Sequence, residues 1–159
     1  MNWRNDIKRP IKLVIWDLDD TIWAGTLAEN DIVKLYPHVK QAIEKLNDRG
    51  IINAICSKND YNIAKAKLQS FGLWDQFVFP SIDFTSKGLR VANLIADMQL
   101  CTANVLFVDD DDSEIKEVKY YNREINVLHS TYTFNMLENS FLKGNSDHGL
   151  NRLEQYKQL

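Results

Sequence analysis

Asp17, Asp19 and Thr21 stand two residues apart, directly after the apolar run Leu13 to Trp16. Carboxylates gathered at a strand end concentrate negative charge at a cost, and a divalent cation is the usual compensation. Three later clusters sit near the ends of predicted strands in the same way. They are Ser57 to Asp60, then Ser86 and Lys87, then Asp109 to Asp112 with Glu114. Together they supply carboxylates for magnesium, a carboxylate nucleophile, a hydroxyl and a lysine. That is an inventory for phosphoryl transfer, in which a carboxylate attacks phosphorus and splits the reaction into two steps. A magnesium ion and a lysine neutralise charge on the transferring group. Magnesium favours oxygen ligands and keeps several waters, so two or three carboxylates suffice.

The elements that must position these residues alternate along the chain. Apolar runs at 12–16, 51–56, 76–79, 104–108 and 124–128 read as strands. Between them lie four helical patterns. The first opens at Pro37, places Val39, Ile43 and Leu46 on one face and closes at Gly50. The second starts near Asp60 and buries Ile63, Ala64, Leu68 and Phe71. The third starts near Ser86 and buries Leu89, Val91, Leu94, Ile95 and Met98. The fourth starts near Asp112 or Ser113 and buries Ile115, Val118 and Tyr121. This alternation predicts an α/β fold with a Rossmann-like, doubly wound parallel sheet. Such sheets bind ligands beyond the carboxyl ends of their strands, where the four clusters would gather. Residues 22–36 break the alternation and read as a short hairpin folded over the site. Residues 1–130 read as the catalytic domain, and 131–159 as a helical tail packed on it.

A chain of 159 residues with 45% hydrophobic and 26% charged residues fits one ordinary globular domain. Its net charge of -3 gives no reason to expect nucleic acid or an anionic membrane as partner. No apolar run approaches the ~20 residues of a membrane span, and the polar start MNWRNDIKRP lacks a signal-peptide core. Cys56 and Cys101 match no zinc spacing and read as reduced core residues of a cytoplasmic protein.

The order DLDDT, a strand ending in Ser57, Lys87 and then FVDDDDSE resembles the four signature motifs of the haloacid dehalogenase superfamily of phosphohydrolases. The resemblance covers roughly residues 11–128. WDLDDTIWAG and AICSKND resemble its FkbH-like branch and the related magnesium-dependent phosphatases. Position 20, commonly Asn in that pattern, is Asp here. The resemblance implies Asp17 as nucleophile and Asp19 as the acid, then base, of the two steps. It implies Mg2+ held by the Asp17 carboxylate, the Asp19 backbone carbonyl and Asp110. Ser57 would donate to a phosphate oxygen, and Lys87 would pair with phosphate and Asp17. Asp109 and Glu114 would orient ligands and waters, and Thr21 would hold the loop geometry. Neither the interval from Asp17 to Ser57 nor that from Ser57 to Lys87 has room for the cap domain of larger members. The site is therefore expected to be open to phosphorylated substrates, small or macromolecular.

Plainer readings stand beside these. Ser57 can cap a helix, which is compatible with phosphate binding. Asp111 and Asp112 read as charges and caps at a helix start. Lys58 and Asn59 are candidate substrate contacts, as is Trp23, which reads equally as core. His38, His129 and His148 lack partners at metal spacing, and DDDDSE lacks the glycine and terminal glutamate of a calcium loop. Two further functions remain open. An FkbH-like enzyme would dephosphorylate a phosphoglyceryl group and load it on an acyl carrier protein, with Cys56 the one candidate thiol near the site. A phosphate-responsive regulatory module would share the acidic cluster and lysine.

Overall fold

A computed structural model describes residues 7–29, 32–145 and 150–159; His148 and most of the N-terminal decapeptide lie outside them. The first strand, β1 (Leu13–Trp16), is buried along its whole length. It leads into the two-stranded hairpin of β2 (Trp23–Ala24) and β3 (Lys34–Leu35). Then come α1 (Pro37–Asp48), β4 (Ile52–Lys58), α2 (Tyr61–Ser70) and β5 (Val78–Asp83). The second half holds α3 (Lys87–Asp97), β6 (Val105–Asp109), α4 (Asp112–Tyr121) and β7 (Asn126–His129). Two 3-10 segments, Ser130–Glu138 and Ser140–Leu142, precede the terminal helix α5 (Asn151–Lys157).

Five strands form one parallel sheet in the order β5-β4-β1-β6-β7. Successive side chains of a strand face opposite sides, and β1 divides accordingly. Val14 and Trp16 join Val39, Ile43, Leu46 and Leu68 from α1 and α2 on one side. Leu13 and Ile15 join Val91, Leu94, Ile95 and Val118 from α3 and α4 on the other. Both faces are covered, which is why the strands read as unbroken apolar runs. The tail contributes to both layers, Met136 and Leu142 to the first and Leu153 to the second. Among the described residues no helix is long and apolar enough to cross a membrane.

Local chemistry sets the element ends. The Asp60 carboxylate accepts the Ile63 N–H at 2.9 Å and caps α2. Asp111 accepts the Ser113 N–H at 2.8 Å and caps α4. The third sheet strand runs from Val78 to Asp83, past the predicted 76–79. Phe79 adopts φ 48, and the pairing skips between Ala54–Val78 and Cys56–Ser81. This bulge lets Pro80 pass without a ladder hydrogen bond, which an edge strand tolerates.

Three residues expected inside are exposed: Ile63 at 55%, Leu89 at 61% and Tyr121 at 48%. The stripes that α2 and α3 bury are narrower than the apolar pattern, with Ala64 and Leu68 on one and Val91, Leu94 and Ile95 on the other. Cys101 is exposed as well, before the turn Thr102–Asn104, while Cys56 is buried on β4. The antiparallel pairs Trp23 with Leu35 and Ala24 with Lys34 make the predicted hairpin of 22–36. Tyr121 leaves its stripe because its ring lies over Gly88, where a methyl group would run into it. We expect Gly88→Ala to cost about 1–3 kcal/mol in urea unfolding, and a second change, Tyr121→Ala, to relieve that cost. An unchanged unfolding midpoint in Gly88→Ala would contradict this close approach.

Candidate active site

The sheet order reverses direction at β1: the chain first builds outward through β4 and β5, then returns to add β6 and β7. Ligands of such sheets bind in the crevice at that switch point. Asp17 follows β1 there, its N–H donating to the Val108 carbonyl at 3.0 Å. Asp109 ends β6, Ser57 lies near the end of β4, and Lys87 opens α3 after β5.

Lys87 is the centre of this crevice and is only 1% exposed. Its ammonium lies 2.8 Å from Asp17 Oδ1, 2.8 Å from Asp109 Oδ2 and 2.5 Å from Glu114 Oε2. The partly exposed Lys58 meets the other Glu114 oxygen at 3.0 Å. The expected pairing of Lys87 with Asp17 is thus one arm of a larger network. Thr21 Oγ1 lies 3.1 Å from Asp17 Oδ2 and 3.4 Å from Asp110 Oδ1, so its single proton serves either carboxylate.

One buried lysine does not neutralise these acids. Burial pushes the Asp17 carboxyl up to about 7 although Lys87 opposes the shift. Burial, followed by the neighbouring Asp17 charge, raises Asp109 to about 7. Asp110 is raised too, first by burial. Burial alone would discharge Lys87, but Asp17 and Asp109 outweigh it and hold the ammonium far above the ordinary lysine range. Burial also works against ionised Glu114, yet Lys87 and Lys58 keep its carboxyl below the usual glutamate range.

Oxygens of Asp17, Asp109 and Asp110 lie within 4.8 Å of one another, a donor set suited to a hard divalent cation. Asp109 is the least free of the three. Its Oδ2 faces Lys87, and its Oδ1 accepts the Asp111 N–H at 3.1 Å. Asp17 is engaged too, by Lys87 at Oδ1 and Thr21 at Oδ2, so Asp110 is the freest of the three carboxylates.

Asp19 faces a second set of partners. Its Oδ1 accepts from the Trp23 indole N–H at 2.9 Å and from the Leu27 N–H at 2.9 Å. Its Oδ2 accepts from Asn59 Nδ2 at 3.1 Å. Two candidate substrate contacts, Trp23 and Asn59, are thus engaged with Asp19. Trp23 is fully buried, its ring 6.0 Å from that of Phe71, so it anchors the hairpin and Asp19 instead of lining the rim. Asn59 is buried and occupied with Asp19 and Ser57. Lys58 stays partly exposed beside the crevice. Asp20 adopts φ 55, a left-handed conformation that Asn and Asp tolerate best among residues with side chains. Its carboxylate accepts the Gly25 N–H at 2.7 Å and points to the hairpin.

Arg90 was not singled out by the sequence. Its guanidinium reaches the carbonyls of Ser57 at 2.8 Å, Ser81 at 2.6 Å and Thr85 at 2.8 Å. It ties the Ser57 strand end to the loop before Lys87. Only its position three residues after Lys87, one turn along the same helix, connects it to the site in sequence. A cavity of ≈ 320 Å³ lined by Lys12, Arg49, Gly50 and Gln155 lies at the opposite edge of the sheet and is no part of this site.

A doubly wound parallel sheet with an acidic crevice and a buried lysine defines a class of α/β enzymes whose chemistry sits at the switch point. Residues 23–125, which include Ser57, Lys87, Asp109 and Asp110, match the haloacid dehalogenase-like hydrolase family. The chain belongs to that family. Its fold is similar to the N-terminal, phosphatase-domain part of a Bacteroides fragilis protein solved with magnesium. That likeness has a TM-score of 0.73 at 21% identity and covers 90% of this chain and 44% of the other. The chain thus spans less than half the length of that structure. The cobalt-bound deoxy-D-mannose-octulosonate 8-phosphate phosphatase of Haemophilus influenzae follows with a TM-score of 0.59 at 15% identity, covering 98% of this chain and 92% of that one. The 3-deoxy-D-manno-octulosonate 8-phosphate phosphatase of Moraxella catarrhalis, in complex with magnesium, phosphate and KDO, gives 0.55 at 19%, covering 78% and 68%. At these identities the likeness is one of fold. No curated protein sequence matches the chain.

The raised carboxyls make a stability prediction. Asp17 holds its proton more tightly folded, near pH 7, than at its ordinary 3.8. The folded state binds more protons in this window, so this group destabilises the fold as pH rises through it. In the absence of divalent cations, Asp17→Asn should melt higher than the native chain above about pH 7, and the gain should shrink toward pH 4. Thermal melts across this range, in chelator, check it. A gain that grows toward acid would contradict the assigned direction. Lys87→Met should cost about 3–5 kcal/mol in urea unfolding at pH above 7, because it leaves buried carboxylates unpaired. A loss under about 1 kcal/mol would show that Lys87 does not carry the network.

Proposed function

We propose that this chain is a magnesium-dependent phosphohydrolase acting through an aspartyl-phosphate on Asp17, in an open site with no cap domain. The observation that carries the reading is Asp17 itself. It stands at the switch point, 2.8 Å from a buried lysine and within 4.8 Å of two further carboxylates. Among the described residues, only the hairpin and α1 lie between Asp17 and β4, and only α2, a 3-10 turn and β5 separate Ser57 from α3. Two structural neighbours solved with magnesium, one containing a phosphatase domain and one named a phosphatase, support the cofactor and the reaction class.

In this reading the Asp17 carboxylate attacks phosphorus and the bond to the leaving oxygen breaks. Asp19 gives that oxygen a proton. A water then attacks phosphorus of the aspartyl-phosphate, losing its proton to Asp19, and Asp17 is freed. The Ser57 hydroxyl and Lys87 hold phosphoryl oxygens. Asp17, Asp110 and the Asp19 backbone carbonyl would hold magnesium, which supplies charge neutralisation on the transferring group. Asp109 and Glu114 orient Lys87, and Thr21 orients Asp17 and Asp110.

The FkbH-like resemblance gives a finer reading, in which an open site accepts a phosphoglyceryl group and passes the acyl unit to an acyl carrier protein. Cys56 does not favour a protein-bound thioester, since it is buried and burial pushes its thiol up to about 11. Loading would run directly to the carrier's thiol. The free thiols Cys56 and Cys101 suit a reducing, cytoplasmic setting.

A panel of sugar phosphates, acyl phosphates and phosphoproteins with magnesium tests the proposal. Phosphate release should fall to background in Asp17→Asn and by about 10²–10⁴ in Asp19→Asn. Native-like release by Asp17→Asn would remove the mechanism. Stable phosphorylation without turnover would favour a regulatory module instead, and a mass increase on a carrier protein would favour acyl loading.

A further inference from the structure

We infer that Asn59 is a positioning residue that sets the acid–base carboxylate and the phosphate-binding hydroxyl together. This inference rests on the phosphohydrolase reading above. The Asn59 side-chain amide has two N–H groups. It donates to Asp19 Oδ2 at 3.1 Å and to Ser57 Oγ at 3.0 Å. The residue is 2% exposed, so water offers little replacement for either bond. Its backbone is fixed as well, with its N–H on the Asp83 carbonyl at 3.2 Å and Asp60 beside it as the cap of α2.

Each bond has a chemical consequence. Asp19 Oδ1 already accepts two N–H donors, from Trp23 and Leu27, while among the described residues Oδ2 accepts only that of Asn59. Oδ2 keeps a lone pair, and it is the oxygen able to carry the proton passed to a leaving group. Asn59 fixes where this oxygen stands. On the other side, Ser57 Oγ accepts from Asn59 and, among the described residues, takes no proton from elsewhere. No acceptor among the described residues takes the Ser57 hydroxyl proton, which is left to point at a phosphoryl oxygen. One amide therefore sets the polarity of Ser57 and the rotamer of Asp19.

The two roles separate by leaving group. An alkyl phosphate needs a proton on its departing oxygen, whereas acetyl phosphate expels a stable carboxylate and needs none. Loss of Ser57 orientation slows phosphorylation of Asp17 by both substrates alike; loss of Asp19 positioning slows that half-reaction for the alkyl phosphate alone, while the later attack of water is common to both. We therefore compare kcat/KM, which reports the phosphorylation half-reaction and not the shared hydrolysis of the aspartyl-phosphate, for glycerol phosphate and acetyl phosphate in the magnesium-loaded protein. The expected result is that Asn59→Ala lowers the glycerol phosphate to acetyl phosphate ratio by about 10-fold or more, part of the 10²–10⁴ supplied by a positioned proton donor. Asn59→Asp should lower the ratio at least as far, because it replaces the donors with a negative charge against Asp19. If Asn59→Ala does not fold, Asn59→Ser keeps one donor and should show the same change in reduced form. Equal loss on both substrates, or no loss on either, overturns the inference. Wild-type protein that hydrolyses neither substrate, or Asp17→Asn that matches it, overturns the phosphohydrolase reading and this inference with it.

Discussion

The buried ammonium of Lys87 is the interaction on which the rest of the crevice depends. Asp17, Asp109 and Glu114 come from three separate elements and converge on it at 2.5–2.8 Å. Carboxylates this close repel one another, and burial works against each charge. Lys87 lowers that cost without cancelling it, as the raised Asp17 and Asp109 carboxyls record. The remaining negative charge is what makes the site receptive to a divalent cation and to chemistry on an anionic group that needs one. The fold spends close packing to hold the lysine there. Gly88 lets α3 and α4 approach, and Arg90 braces the loops on either side.

A second network surrounds Asp19. Trp23, Leu27 and Asn59 hold its carboxylate apart from the lysine cluster. The hairpin is therefore part of the site's construction: its first strand carries Trp23, whose ring is buried and whose N–H reaches Asp19. The two networks meet at Ser57, Lys58 and Asn59. Lys58 turns to Glu114 and so to Lys87, while Asn59 turns to Asp19 and Ser57. Three consecutive residues at a strand end thus couple the surroundings of Asp17 to those of Asp19.

Much of this was legible in the sequence for a physical reason. Strands covered on both faces appear as continuous apolar runs, and in a parallel sheet the residues after those runs share one edge. That places Asp17, Ser57, Lys87 and Asp109 together before any coordinate is known. What stayed hidden depends on geometry without a pattern. The bulge at Phe79 and Pro80 obscured the length of β5. The narrow buried stripes of α2 and α3 left Ile63 and Leu89 outside. A tryptophan beside a motif reads equally as core or rim, and only the hairpin's docking decides for Trp23. Arg90 binds backbone carbonyls, which leave no mark in sequence.

The central claim is that Asp17 becomes covalently phosphorylated during turnover. Mass spectrometry of protein quenched in acid during magnesium-supported hydrolysis tests it directly. The account predicts a transient mass increase of one phosphoryl group on the peptide containing Asp17, lost on hydroxylamine treatment and absent from Asp17→Asn. Turnover with no such adduct at any quench time, or an adduct on another residue, would contradict it.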